Sequence, residues 1–505
     1  MQSYVHGADG WRAFGAIAAD WKISKSTYLK GDFDYQHLVQ RSVGGYQLLG
    51  GTTVPVDVSP GVMLGYQSWA LPNTYDDFNT DIRLDHSFSS NWKIFGAVSR
   101  SHTLLNDNIA YPYGCYYQDV CNTGGAPPYF FAPNGDYDVY DYRSPGELRI
   151  NDQFEAILQG RVKTGAVTND VAIGTSLQRR SVNLPNAVFD YVGTENIYLP
   201  EVAFSPSPNV PGPSYLAEDT HQYALILEDH IHLPYRFDVT VGAQYDTLHD
   251  FLYPNQSRWL PQYSVSWRPV SDLMLYANYS VALSLGLQGP FWANVNPNAF
   301  LAPFFTRQVE GGVKYEPGKK ILLTAAVYRM KAPFFYPKVT DSAGDIEFVS
   351  DGHERHSGIE LSAQGKATNW LRVTGSTTLL RAVSDGSTTP EFNGKQVIDV
   401  PRFRMTLFGD IDVPFISGLH FLPGWSYTSA KEATRDDSVS VPGYNLVNLG
   451  ASYTPHGEWS KVTFRLFAEN VLNKRYWKDT GASLGDTFLH LGAPTTVRLS
   501  AQYNF

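Results

Sequence analysis

The chain has 505 residues, with 39 Lys and Arg against 49 Asp and Glu and a formal net charge of −10. No basic stripe is available to neutralise phosphates, which argues against a nucleic-acid partner. Mean hydropathy is −0.26, and no run of about 18 apolar residues occurs, so no transmembrane helix is expected. A membrane is still allowed, because barrel strands alternate an apolar lipid face with a polar lumen face and keep an average hydropathy.

Aromatic residues make up 14% of the chain, and its 32 Tyr outnumber its 28 Phe and 11 Trp. An apolar ring with a polar tip suits a lipid–water interface. The chain opens Met1-Gln-Ser-Tyr-Val-His and runs directly into Gly7-Ala-Asp-Gly-Trp, without a signal peptide. A barrel must first cross the inner membrane, so this start reads as a truncation, a mature form or a misplaced start. The first full strand falls near Phe14-Gly-Ala-Ile-Ala-Ala-Asp-Trp21, and a long loop over about 39–76 carries Trp69 and Tyr75. A short turn at Asn91-Trp92 leads to a second long loop, about 107–146, with Tyr111, Tyr113, Tyr116, Tyr117, Tyr129, Phe130 and Phe131.

That loop holds both cysteines of the chain, in Cys115-Tyr-Tyr-Gln-Asp-Val-Cys121. One local pair reads as a loop disulfide made in an oxidising compartment; the alternative is two unpaired thiols in a cytosolic protein. Without nearby histidines the pair is too small for a structural zinc site. Tyr116 and Tyr117, inside the ring, are expected to face a ligand. Asp136, Asp138 and Asp141 follow; with no EF-hand pattern they read as a solvated acidic loop rather than a Ca²⁺ site or a bridge to lipopolysaccharide.

Beyond a turn at Ala166–Asn169 and a loop over about 184–217, Glu228, His230 and His232 share one strand face, opposite Leu225, Leu227 and Ile231. Imidazoles at i and i+2 can chelate a transition metal; the plainer reading is a hydrated lumen wall beside the turn at Leu233–Tyr235. Phe237, Val239, Val241, Ala243 and Tyr245 then alternate with polar residues. The glycosylation triplets at Asn255 and Asn278 read as coincidences. Further turns fall at Pro269–Asp272, Pro317–Lys319, Ala367–Asn369, Pro414–Ser417 and Pro455–Trp459, with loops between them at about 287–302, carrying Phe291 and Trp292, and 385–400. Phe334, Phe335 and Tyr336 form another aromatic group. Ile359, Leu361 and Ala363 alternate with polar neighbours, as do Val462, Phe464, Leu466 and Ala468, and then Val497, Leu499, Ala501, Tyr503 and Phe505. Tyr503 and Phe505 place an apolar face on the terminal strand, able to close a sheet. Gly481-Ala-Ser-Leu-Gly485 matches a nucleophile elbow, but it precedes a strand and has only His490 downstream, so it reads as accidental.

Strands of roughly 10 to 16 residues exceed soluble ones of about 5 to 6 and match the 9 to 11 needed to cross a membrane. Short turns alternating with long loops belong to an outer-membrane barrel. The expectation is an all-β, antiparallel, up-and-down transmembrane barrel over 1–505 with about 19 strands. An odd count departs from the even numbers of single-chain bacterial barrels.

Arg465-Leu-Phe-Ala-Glu-Asn-Val-Leu-Asn-Lys-Arg-Tyr-Trp477 resembles the N-L-F-(N/D)-K-x-Y segment of TonB-dependent receptors, with Val471 and Leu472 where that segment has Leu and Phe. Arg307–Tyr315, Ser357–Leu361 and Leu275–Ser280 are similar to the family's x-Q-x-E-x-G-x-K-Y, x-G-(V/I)-E-(V/L) and x-Y-x-(S/N)-Y-S strands, in family order. The Tyr/Trp-rich loops and Ala282–Trp292 look more like ferric-siderophore receptors than cobalamin or sugar importers. The resemblance implies about 22 strands around a plug, a TonB-contacting segment, and a ferric siderophore carried as ligand with no cofactor and no covalent catalysis. It also implies a monomer set in outer-membrane lipid and lipopolysaccharide. On that template the chain lacks the plug, two strands and most of a third, Met1–Val5 being the third's tail, and is not a working transporter by itself. The rival readings are a passive porin, an importer of cobalamin, sugar or another metal chelate, and a soluble secreted β-protein. The aromatic loops then read as a vestibule that stacks on a catecholate or packs on a hydroxamate shell, with interfacial girdle and loop packing as the alternative.

Overall fold

The computed structural model describes residues 3–504 except 125–126, 252–254, 291–292, 298, 341–344 and 484–485. Among the described residues, 20 strands form one large antiparallel sheet. One of them, Val188–Asn196, pairs only with an end of Asp136–Thr164. The rest are the long strands that the alternation called for. The chain divides into two compact units, Met1–Val265 and Ser266–Phe505.

In the first unit, Gly10–Lys22, Thr27–Gln40, Asn73–Ser87, Trp92–Pro112, Asp136–Thr164, Val167–Pro185, Ser214–Leu233 and Phe237–Asp250 pair antiparallel in that order. The register lines up Ile82, Val98, Phe154, Leu177 and Tyr223 across five neighbouring strands. Each is 38% to 50% exposed. A contiguous apolar belt of this kind is stable against hydrocarbon and not against water. Two residues further along each strand the same face carries Thr80, Arg100, Asp152 and Arg179. Arg100 pairs with Asp152 at 2.6 Å and Arg179 with Asp219 at 2.8 Å, and this charged row marks the belt's outer edge.

In the second unit, Leu273–Ser284, Phe304–Tyr315, Ile321–Val339, Ile346–Lys366, Leu371–Asp385, Phe403–Asp412, Leu419–Thr428, Tyr444–Tyr453, Val462–Glu469 and Thr496–Tyr503 also pair in chain order. Val327, Ile359 and Leu379 form the corresponding apolar row.

The short connections lie close to where the sequence placed them, though the turn expected at Ala166–Asn169 is Gly165–Ala166, with Val167–Asn169 in the next strand. Thr164 faces Val167 across a two-residue turn. Pro234–Arg236, Pro317–Lys319 and Gly457–Trp459 are tight turns, the first two carrying left-handed backbone at Tyr235 and Gly318. The opposite ends differ from expectation. Strand pairing runs through Pro112 and resumes at Asp136, so the loop read as 107–146 is 113–135. The loop read as 184–217 contains the Val188–Asn196 strand. Pairing of Asp136–Arg143 with Val188–Asn196 satisfies the backbone of both, and Tyr140 and Tyr142 pack on Phe189 of that strand. Ser3–Val5 is not a strand tail. The His6 N–H donates to the Gly61 carbonyl at 2.9 Å, and Val5 is buried with Ala8 and Met63.

Candidate functional site

Past Pro112 the ladder is carried on by loop backbone: the Tyr113 N–H donates to the Asp138 carbonyl and the Asp138 N–H to the Gly114 carbonyl, both at 2.9 Å. Cys115 and Cys121 are disulfide-bonded across the start of a helical turn, Asp119–Gly124, and both sulfur residues are buried with Ala132. Gln47, from the 41–72 loop, is fully buried. Its Nε2 donates to the Tyr129 carbonyl at 2.9 Å and its Oε1 accepts the Gly114 N–H at 2.8 Å. One side chain thereby fastens two loops, and neither buried backbone group is left unpaired.

The carboxylates of 136–141 are committed to the protein. Asp138 is fully buried and accepts from Gln118 Nε2 at 2.9 Å and the Tyr117 N–H at 3.2 Å. Burial pushes its carboxyl up from the ordinary aspartate value, against those bonds. Asp141, also fully buried, takes Arg143 Nε at 3.0 Å and the Ser207 N–H at 2.9 Å, while Arg143 Nη2 reaches the Ser207 and Asn209 carbonyls. Asp136 accepts from Asn134 and Asn196, each at 2.7 Å. The reading as a solvated acidic loop is therefore corrected: these acids are bonded within the platform, and Asp141 straps the 197–213 segment onto it. Glu195 completes the strap. It receives the Tyr137 hydroxyl and Gln67 Nε2, and Gln67 in turn holds Val202 and Phe204 backbone.

The aromatic residues divide into core and surface. Tyr113 is 1% exposed, stacked with Tyr111 on one side and Tyr116 on the other, so it supports the loop and does not face a ligand. Phe131 and Tyr137 are buried against one another, and Tyr129 and Phe130 are half-buried neighbours. Tyr140 stacks on Phe189 with the rings 5° from parallel. At the surface, Tyr117 is 58% exposed and stacks on Tyr191 with centroids 4.0 Å apart. Trp69 is half-buried, its indole N–H donating to the Phe204 carbonyl at 3.0 Å. Tyr75 is half-buried on Asn73–Ser87, opposite Leu105, and is a strand residue. Phe291 and Trp292 lie outside the described residues, as does Phe505; Tyr503 pairs with Val462.

In the second unit Phe334 and Tyr336 are buried, with the Tyr336 hydroxyl donating to Asp351 at 2.7 Å. Phe335 remains half-buried beside a pocket that also takes in Glu354, Gln396 and Arg435. Of the motif at 481–485, residues 484–485 lie outside the described residues; the Asp486–Leu491 strand follows, not the helix that a nucleophile elbow requires. In the Glu228, His230, His232 set, Glu228 sits opposite Gly242, and the carboxylate that meets both imidazoles is Asp238. Tyr191, Phe189, Tyr140, Gln47 and Glu195 carried no local signal. Only strand register and loop packing bring them to the site.

A family model described as TonB dependent receptor-like, beta-barrel matches residues 19–473. The ferrichrome receptor FcuA of Yersinia enterocolitica is 25% identical over 90% of this chain and 59% of its own length. The ferrioxamine B receptor of Salmonella typhimurium is 24% identical over 88% of this chain and 62% of its own. The chain thus spans about three fifths of the length of these curated relatives. BauA, the ferric preacinetobactin receptor of Acinetobacter baumannii, superposes with a TM-score of 0.82 at 20% identity, over 100% of this chain and 74% of that one. Fiu, the ferric-catecholate import receptor of E. coli, gives 0.77 at 15% identity, over 99% of this chain and 76% of that one. At such identities the two structures speak for the fold. The chain belongs to the TonB-dependent receptor-like β-barrel family, transport receptors of the bacterial outer membrane.

Proposed function

We propose that the outer loops of this chain capture a ferric siderophore for TonB-dependent uptake, with the strands as the wall that holds those loops in place. The observation that carries this reading is the Tyr117–Tyr191 stack, two exposed rings 4.0 Å apart on a buried, disulfide-closed platform. A flat aromatic surface on a rigid base packs against the apolar rim of a chelate with little ordering cost on binding. The relatives support the same direction, being named for ferrichrome and ferrioxamine B. Iron arrives already wrapped in its chelator, so the chain supplies no iron ligand, no cofactor and no covalent step. The wall works as a monomer among outer-membrane lipid and lipopolysaccharide, and the TonB system supplies the energy for release inward.

The test is equilibrium binding of ferrichrome and ferrioxamine B, as their ferric complexes, to the full chain in detergent micelles. Replacing Tyr117 and Tyr191 together by Ala should weaken binding about tenfold, the combined worth of two aromatic contacts at roughly 0.5–1.5 kcal/mol each. Replacing Tyr75 alone should leave affinity within a factor of two. A folded chain that binds neither complex overturns the proposal.

A further inference from the structure

The turn end of the Ser214–Leu233 and Phe237–Asp250 hairpin carries two imidazoles and a carboxylate that siderophore capture does not use. His230 and His232 project from one strand face with ring centroids 4.5 Å apart. Asp238 is the register partner of His232. Its Oδ1 lies 2.7 Å from His232 Nδ1 and 3.9 Å from His230 Nε2. The other nitrogen of each ring is held by a neighbour. His230 Nδ1 is 2.8 Å from Thr240 Oγ1, and His232 Nε2 is 3.0 Å from Asp170 Oδ2. Asp170 is fixed in turn by a two-pronged contact from Arg161, at 2.6 and 2.7 Å.

This is the environment a metal-binding imidazole requires. One nitrogen faces the ion, and the other donates its N–H to an oxygen that sets tautomer and ring plane. Among the described residues, His230, His232 and Asp238 offer ligand atoms within 4.8 Å of one another. Two nitrogens and one oxygen suit a divalent transition metal such as Zn²⁺, Cu²⁺ or Ni²⁺, and not Ca²⁺ or Mg²⁺. We infer that His230 Nε2, His232 Nδ1 and Asp238 Oδ1 form a three-ligand site for such an ion. Asp170 and Thr240 orient the rings, and Arg161 holds Asp170. Bonds of about 2.0–2.1 Å to a tetrahedral ion place ligand atoms roughly 3.3 Å apart. The observed 2.7 and 3.9 Å separations straddle that spacing, so side-chain adjustment alone completes the site. Both imidazole side chains are 38% exposed, which leaves the fourth position open to water or a small donor. The second mixed cluster, Asp410, Asp412 and His420, differs in kind: one imidazole, with Nδ1 engaged by both carboxylates at 2.7 and 3.0 Å.

The test titrates ZnCl₂ and CoCl₂ into the full chain in detergent micelles, followed by calorimetry and by the visible absorption of Co²⁺. One saturable equivalent, released by EDTA, is expected. H230Q and H232Q should each weaken binding at least tenfold, and H420Q should leave it unchanged. D170N removes no ligand and should still weaken binding about 10- to 100-fold, the usual effect of losing an orienting carboxylate. Circular dichroism and heat-modifiable gel mobility verify that each variant is folded. Zn²⁺ protection of His230 and His232 from diethylpyrocarbonate, read by mass spectrometry on the unaltered chain, needs no variant. Absent saturable binding, binding indifferent to H230Q and H232Q, or unprotected imidazoles would each overturn the site. In that case His232 serves only as a charged bridge between Asp170 and Asp238.

Discussion

Glu195 shows how one side chain gives the loop platform a response to pH. It lies outside the membrane belt, and burial holds its carboxyl above the ordinary glutamate value despite the Tyr137 hydroxyl donating to it. The packed loops therefore bind its proton more tightly than the unpacked loops do. That contribution is complete below the ordinary glutamate value and is lost as pH rises through the raised one. Amide exchange in 113–135 and 197–213 should accordingly slow as pH falls through that window, after correction for intrinsic rates. Glu195→Gln, which cannot ionise, should flatten the response; an unchanged profile would remove Glu195 as its source. At this scale the sequence was half legible. The cysteine pair could be read from spacing. Gln47 and Glu195 could not, because their partners lie 67 and 82 residues away in one case and 58 and 128 in the other.

Strands were the most legible elements, because a two-residue period is a local property and each strand repeats it many times. The register adds what periodicity omits. Gly160 sits opposite Trp92, and a Cβ there would lie 2.4 Å from the indole ring, so Gly admits the ring flat against the sheet. The outer ends of the strands were misread as loop because their polar residues turn toward the 41–72 and 197–213 segments rather than toward water. The 113–135 loop depends on its disulfide. A closed ring of this size restrains the unfolded loop by about 2–3 kcal/mol in the chain-entropy account. Cys115→Ser with Cys121→Ser should open this loop to proteolysis and weaken siderophore binding several-fold. Heat-modifiable mobility of the strands should stay as it was; its collapse would mean that the loop supports the sheet itself.

Across the whole molecule, the exposed rows of Ile82, Val98, Phe154, Leu177 and Tyr223, and of Val327, Ile359 and Leu379, require a hydrocarbon solvent. Mean hydropathy concealed this, since it averages both faces of each strand. A Val98→Lys substitution should cost about 2–4 kcal/mol if it lies near the bilayer midplane and less toward either edge. Folding titrations in lipid vesicles measure it, with Gln153→Lys on the opposite face as the tolerated comparison. Equal losses for both would refute the belt. The family was legible from four ordered motifs, whereas the loop packing was not, because it joins residues far apart in the chain. The Asp136–Thr164 strand has 29 residues, about 95 Å of extended chain at roughly 3.3 Å per residue, against a barrel's apolar band about 25 Å tall. Its far end, clasped by Val188–Asn196 beside the loop that Cys115–Cys121 closes, reaches beyond a band of that height. Because buried Tyr137, Tyr140, Asp138 and Asp141 hold that end together from within, substitutions at its outward-facing positions should cost it little stability.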